Sequence, residues 1–249
     1  MKTTITAHAI LAFLLAAALR AEEPIASPAG IASPAEAPCR IVQTEKPQFP
    51  VRLIKEGVTH GTVKVLVQVD ATGTIIDQLV IASTRHAFAE EAQRVIGTWM
   101  FQPARIHGEP TDTVLDLTFT FDVSGLIYVD RFGTSEPPPG VTQLPFEYHA
   151  CALSDLDRMP TPLALAQPLY PEEWREQGIA GRVTVQFYID ETGRARFPTV
   201  LAGDHDHLSA VAVAAVRQWR FAPPTSKGKP VLVRARQVFA FGLEKAPAA

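Results

Sequence analysis

Val63, Val65, Val67 and Val69 alternate with Lys64, Leu66 and Gln68, and Val183, Val185, Phe187 and Ile189 alternate in the same way with Thr184, Gln186 and Tyr188. A period of two with one strongly apolar face predicts a β-strand covered on one side. Asp70-Ala71-Thr72-Gly73 and Asp190-Glu191-Thr192-Gly193 follow these strands. An Asp that bonds its own backbone and a Gly that accepts positive φ predict a short hairpin turn at each. Second strands are expected from about Ile75 to Ala82 and from about Ala195 to Ala202. The period then becomes helical: Phe88, Ala92, Val95, Ile96 and Trp99 share one face, and Leu208, Ala212, Ala215, Val216 and Trp219 repeat their spacing. Each helix therefore lays one apolar stripe on a sheet, and the tryptophans belong to the core. Phe101 and Pro103, with Phe221 and Pro223, end the helices, turns follow at Gly108 and Gly228, and last strands are expected over about Thr111 to Phe121 and Val231 to Phe241.

The two halves are copies at a constant offset of 120 residues: Gly61, Asp70, Gly73, Trp99, Phe101, Pro103 and Phe121 recur as Gly181, Asp190, Gly193, Trp219, Phe221, Pro223 and Phe241. The prediction is two tandem α+β domains of about 80 residues, each an antiparallel sheet of about three strands with a helix packed on one face. Residues 43–124 form the first, more diverged domain and 159–244 the second; 125–158, broken by Pro137, Pro138, Pro139 and Gly140, read as a linker. Residues 22–42, rich in Pro and Ala, read as a tether. Residues 1–21 have a basic start at Lys2, an apolar stretch from Ala9 to Leu19 and a small residue, Ala21, where cleavage would fall. That pattern predicts export to the periplasm. The competing reading is an uncleaved inner-membrane anchor, for which the run falls short of the roughly 20 apolar residues a span usually needs.

Composition changes this picture little. Of 249 residues 47% are hydrophobic and 20% charged, and a net charge of -3 provides no field for gathering nucleic acid, so no nucleic-acid partner is expected. Cys39 and Cys151 are the only cysteines; in an exported chain a disulfide between them is expected, with two thiols as the alternative. Asp204, His205, Asp206 and His207 have metal-ligand residue types, but carboxylates ahead of Leu208 suit the start of a helix equally well. His86 and His107 read as solvated loop residues. No nucleophile setting and no glycine-rich phosphate loop is present, and the recurring Asp70 and Asp190 are explained by their turns. Neither catalysis nor a cofactor nor a metal is expected.

Further residues carry a family likeness. The second unit has Pro168, Tyr170 and Pro171, a polar stretch to Gly178, Gly181-Arg182-Val183-Thr184-Val185, and Val216-Arg217-Gln218-Trp219-Arg220-Phe221-Ala222-Pro223. The first has Pro47, Phe49 and Pro50, one extra residue before Gly61, and Trp99-Met100-Phe101-Gln102-Pro103. The chain resembles the TonB C-terminal domain family. The resemblance implies a helix-on-sheet fold that binds an extended segment of an outer-membrane TonB-dependent transporter, or of another envelope protein, along the edge of its last strand. The partner-binding residues it implies are Phe49, Pro50, Tyr170 and Pro171 near the groove, and Arg234, Arg236, Val238, Phe239 and Phe241 on the edge. The second unit keeps the pattern more fully and is expected to do most of the recognition. Two departures from a full energy transducer are the cleavable signal and the short tether. A structural or self-associating envelope protein, such as a homodimer without energy coupling, a signal-anchored transducer, and a metal-dependent enzyme at Asp204 to His207 are the alternatives. The acidic Asp112 and Asp116 in the first unit and the basic Arg234 and Arg236 in the second further suggest that the two last-strand edges pair with each other or attract partners of opposite charge.

Overall fold

The computed structural model describes residues 37–125, 127–130 and 144–242. The export signal, all of the tether before residue 37 and the Pro137 to Gly140 break lie outside them. The first unit runs β1 (Arg40–Gln43), α1 (Val51–Lys55), β2 (His60–Val69), β3 (Ile75–Ser83), α2 (His86–Ile96), β4 (Met100–Gln102), β5 (Ala104–Ile106), β6 (Glu109–Thr111), β7 (Thr113–Asp122) and β8 (Ile127–Asp130). After β9 (Tyr148–His149), the second unit runs β10 (Pro162–Ala164), α3 (Glu172–Glu176), β11 (Gly181–Ile189), β12 (Ala195–Gly203), α4 (Asp206–Val216), β13 (Arg220–Phe221), β14 (Thr225–Ser226), β15 (Lys229–Pro230) and β16 (Val233–Phe241). β2 pairs antiparallel with β3 and β7, and β11 with β12 and β16, so the predicted three-strand α+β core is present twice.

The apolar phase of each first strand faces its helix. Val63, Val65, Val67 and Val69 are fully buried with Phe88, Ala92, Val95 and Ile96, and Val183, Val185, Phe187 and Ile189 pack with Leu208, Ala212 and Val216. The tryptophan after each long helix also pins the segment that leads into its unit's short first helix: Trp99 Nε1 donates to Glu45 O (3.0 Å) and Trp219 Nε1 to Ala166 O (2.8 Å). The hairpin turns form as their composition requires. Asp70 Oδ1 accepts from the N–H groups of Thr72 and Thr74, and Asp190 Oδ1 from those of Thr192 and Arg194. Gly73 and Gly193 both have φ of +87°, and a Cβ there would lie 2.3 Å from Phe101 O and 1.9 Å from Phe221 O. Only glycine suits both the conformation and the approach.

Several segments depart from the expected boundaries. The first sheet has five strands in the order β8-β7-β2-β3-β9, against three, β12-β11-β16, in the second. Both added strands come from the stretch read as linker. β1 begins inside the stretch read as tether, where Ala37 and Arg105 also exchange backbone hydrogen bonds. The expected Cys39–Cys151 disulfide is not formed; both residues are thiols. Cys39 is buried in the first core, whereas Cys151 bridges to Val233 of the second unit.

The units meet through the sheet faces that carry no helix. Leu66 and Leu79 of the first form a separate buried cluster with Tyr188, Phe197 and Leu232 of the second. The layers therefore run helix, sheet, sheet, helix. Phe197 sits at φ 49° where the β11–β12 ladder shifts register, and its ring is only 3% exposed. Beside it Arg196 clasps both carboxylate oxygens of Asp77 and donates to Gln78 O (3.0 Å). Tyr148 donates its hydroxyl to Glu191 (2.6 Å), and burial together with that carboxylate holds the phenol well above its ordinary pKa. The expected pairing of the last-strand edges with each other is not observed: β7 and β16 lie in separate sheets. Asp112 accepts from Ala71 N within its own unit, and Asp116 and Arg234 instead flank the Tyr188 phenol at the face-to-face contact. Leu66 and Leu79 point away from α2 and demand cover, so burial of the faces outweighs edge pairing.

Candidate functional site: the outer edge of strand β16

The backbone direction of β16 follows from two hydrogen bonds. Cys151 N donates to Leu232 O (2.8 Å) and Arg234 N donates to Cys151 O (3.1 Å). In a strand these groups alternate sides, so the even-numbered residues turn their N–H and C=O away from β11. Past Cys151, no described strand pairs with that side of β16. The backbone groups of Arg236, Val238 and Ala240 therefore face outward, and the neighbouring Gln237 Nε2 donates to Val238 O (2.8 Å). Arg236, Val238 and Ala240 are exposed, Val238 to 54%. Arg234 is half-buried beside Tyr188, and Phe239 and Phe241 are buried in the second core. Of the implied edge residues, then, Arg236 and Val238 present side chains at the surface, while the two phenylalanines form the floor beneath the strand.

On the helix side, Leu153, Met159, Leu165, Trp219, Ala235 and Gln237 line an apolar groove next to this edge. At the far end, Tyr170 donates its hydroxyl to Ile179 O (2.9 Å) and its ring packs 5.5 Å from Phe241. A Cβ at Gly242 would meet that hydroxyl at 2.6 Å. Tyr170 thus clamps the end of β16, with Pro171 at the N-cap of α3. Phe49 packs edge-on against Phe88 at 5.2 Å and Pro50 caps α1. The structure packs Phe49 against the first core and Tyr170 against the second, each followed by the proline that opens a short helix, so these implied residues do not gather into one site.

The corresponding edge of the first unit is already filled. β8 pairs with β7 over Thr118 to Phe121, and Val129 packs against the first core. The turn between them is another Asp-to-Gly turn: Asp122 Oδ1 accepts from Ser124 N (2.8 Å), and Gly125 has φ of +86°. Asp122-Val123-Ser124-Gly125 is the same chemistry that marks the other hairpins, and it was the sequence signal for β8.

The Asp204 to His207 stretch is occupied by structural duties. Asp204 accepts from Arg182 N (2.7 Å), Asp206 opens α4, and His207 rests against Trp174 at 5.6 Å. Among the described residues no group of three His, Cys, Asp or Glu is placed to hold a metal, and no helix is long and apolar enough to cross a membrane.

The family model for the Gram-negative bacterial TonB protein C-terminal matches residues 45–123 and 166–243, more than half of the chain. Protein TonB of Pseudomonas aeruginosa is 34% identical over 112 residues, which are 45% of this chain and 32% of that protein. Protein TonB of Vibrio cholerae is 33% identical over 82 residues, 32% of this chain and 34% of that protein. The chain thus spans about a third of the length of these curated relatives. A solution structure of the Pseudomonas aeruginosa TonB CTD is 36% identical, covers 39% of this chain and 98% of its own, and has a TM-score of 0.32.

Proposed function

Because the chain belongs to the TonB C-terminal family, we propose that it captures an extended segment of an outer-membrane transporter, or of another envelope protein, by adding that segment to β16 in the periplasm. The observation that carries this reading is the outward-facing backbone of Arg236, Val238 and Ala240 beside an apolar groove. Three such residues offer six hydrogen-bonding groups. At about 0.5–1.5 kcal/mol net for each bond, they supply about 3–9 kcal/mol, from which ordering the segment takes about 2–5 kcal/mol. Backbone pairing alone is therefore weak, and side chains in the groove supply selectivity. The first unit, its edge filled by β8, acts as a support for the second.

Val238→Pro tests the reading. It removes an outward N–H and leaves the ladder to β11 intact, since an edge strand tolerates Pro when that N–H faces solvent. Thr118→Pro, at the equivalent position facing β8, is the control. Capture of a transporter segment by the full chain falls by about two- to tenfold in Val238→Pro and is retained in Thr118→Pro. Undiminished capture by a folded Val238→Pro protein rejects the proposal.

A further inference from the structure

We infer that the segment taken by β16 is a strand of the type the chain supplies to itself as β8: antiparallel to its receptor strand, with an aliphatic side chain opposite Phe239 on the helix side. This rests on the reading of β16 as a receptor edge and specifies what that edge accepts.

The two units are copies, so β8 shows what an occupant of this edge looks like. Its register sets Thr118 opposite Asp130, Phe119 opposite Val129, Thr120 opposite Tyr128 and Phe121 opposite Ile127, all antiparallel. Moved by the 120-residue repeat, those receptor positions are Val238, Phe239, Ala240 and Phe241. Val129 is partly buried against the first core, the core to which Phe119 and Phe121 belong. The effect of cover is visible in the phenylalanines. Phe119 and Phe121 are 0% exposed, whereas Phe239 is 8% and Phe241 5% exposed. The same aromatic floor is sealed in one unit and left with a thin open strip in the other. An aliphatic side chain opposite Phe239 closes that strip, as Val129 does over Phe119, and gains the burial that backbone bonds alone do not provide.

The remaining geometry agrees with this orientation. Cys151 already serves Leu232 O and Arg234 N, so the open stretch of β16 begins after Arg234 and runs to the end of the strand at Phe241. An antiparallel segment starts beside Gly242 and finishes beside Arg236. Val238 and Ala240 stand where β7 has Thr118 and Thr120, so the face away from the helix is more apolar than in the first unit.

The experiment uses the full chain, labelled with nitrogen-15, and a capped peptide carrying the β8 sequence Ile127–Asp130 between Gly-Ser flanks. The amides of Arg236, Val238 and Ala240 shift on titration while those of Thr118 and Thr120 do not. A nitroxide at the N-terminus of the peptide broadens Gly242, and one at its C-terminus broadens Arg236. The same peptide with Val129→Asp binds about tenfold more weakly, as loss of one buried valine implies. The reversed broadening pattern, equal binding by the Val129→Asp peptide, or shifts confined to Thr118 and Thr120 overturn the inference. If the β8 peptide shifts nothing and a transporter segment shifts the β16 amides, the inference fails and the receptor reading stands. If neither segment shifts them, the receptor reading falls as well.

Discussion

Phe197 holds the joint between the two units, and its truncation to alanine has a calculable effect. The ring is 3% exposed and packs with Leu66, Leu79, Tyr188 and Leu232, residues contributed by both units. Truncation of a buried phenylalanine costs about 3–5 kcal/mol. The Arg196 guanidinium, 5.7 Å from the ring centroid, loses its aromatic platform as well. No relief of strain offsets this, because alanine at φ 49° is as disfavoured as phenylalanine. With a urea dependence of about 1–3 kcal/mol per molar, the unfolding midpoint falls by about 1–5 M. The assay follows the amide signals of Val65 and Val185, one in each core, through a urea titration. In the unmodified chain the two signals vanish together. In Phe197→Ala the midpoint drops and the two transitions separate. A loss below about 1 kcal/mol, or cores that melt independently in the unmodified chain, refutes the joint.

Three further outcomes are expected. Gly193→Ala destabilises more than Gly178→Ala, because both residues have positive φ but a Cβ at Gly193 lies 1.9 Å from Phe221 O, whereas Gly178 has nothing within 4 Å; equal melting temperatures contradict the close approach. The backbone N–H groups of Gly228 and Lys227 hold the Asp157 carboxyl below the usual carboxylate range, so its contribution is complete above about pH 4 and is lost as pH falls through the lowered value. Asp157→Asn therefore flattens the acid limb of the stability profile, and an unchanged slope refutes the assignment. Unreduced, denatured protein titrates as two thiols, Cys39 and Cys151; none titrating reinstates the disulfide.

The cores were legible because their pattern is regular: the alternation from Val63 to Val69 and the stripe from Phe88 to Trp99 admit one reading each. The face-to-face joint had a fainter signal. Leu66 and Tyr188 are apolar interruptions in the polar phase of β2 and β11, and they became meaningful only when the structure set them against each other. Phe197 gave none, because a side chain carried by a register shift follows no period. β8 was hidden because the second unit has no described copy of it, although the Asp122 to Gly125 turn announced a hairpin. The resemblance pointed to the last strand as a binding edge, but whether an edge is open depends on what else pairs with it. No side-chain pattern on β7 or β16 records that difference.

Amide hydrogen exchange of the full chain, alone and with a bound transporter segment, tests the central claim most directly. Arg236, Val238 and Ala240 exchange rapidly in the unbound chain and become protected on binding, while Thr118 and Thr120, paired with β8, are protected throughout. Protection of the three β16 amides in the unbound chain, or an absence of protection when the segment is bound, contradicts a receptive edge on the second unit.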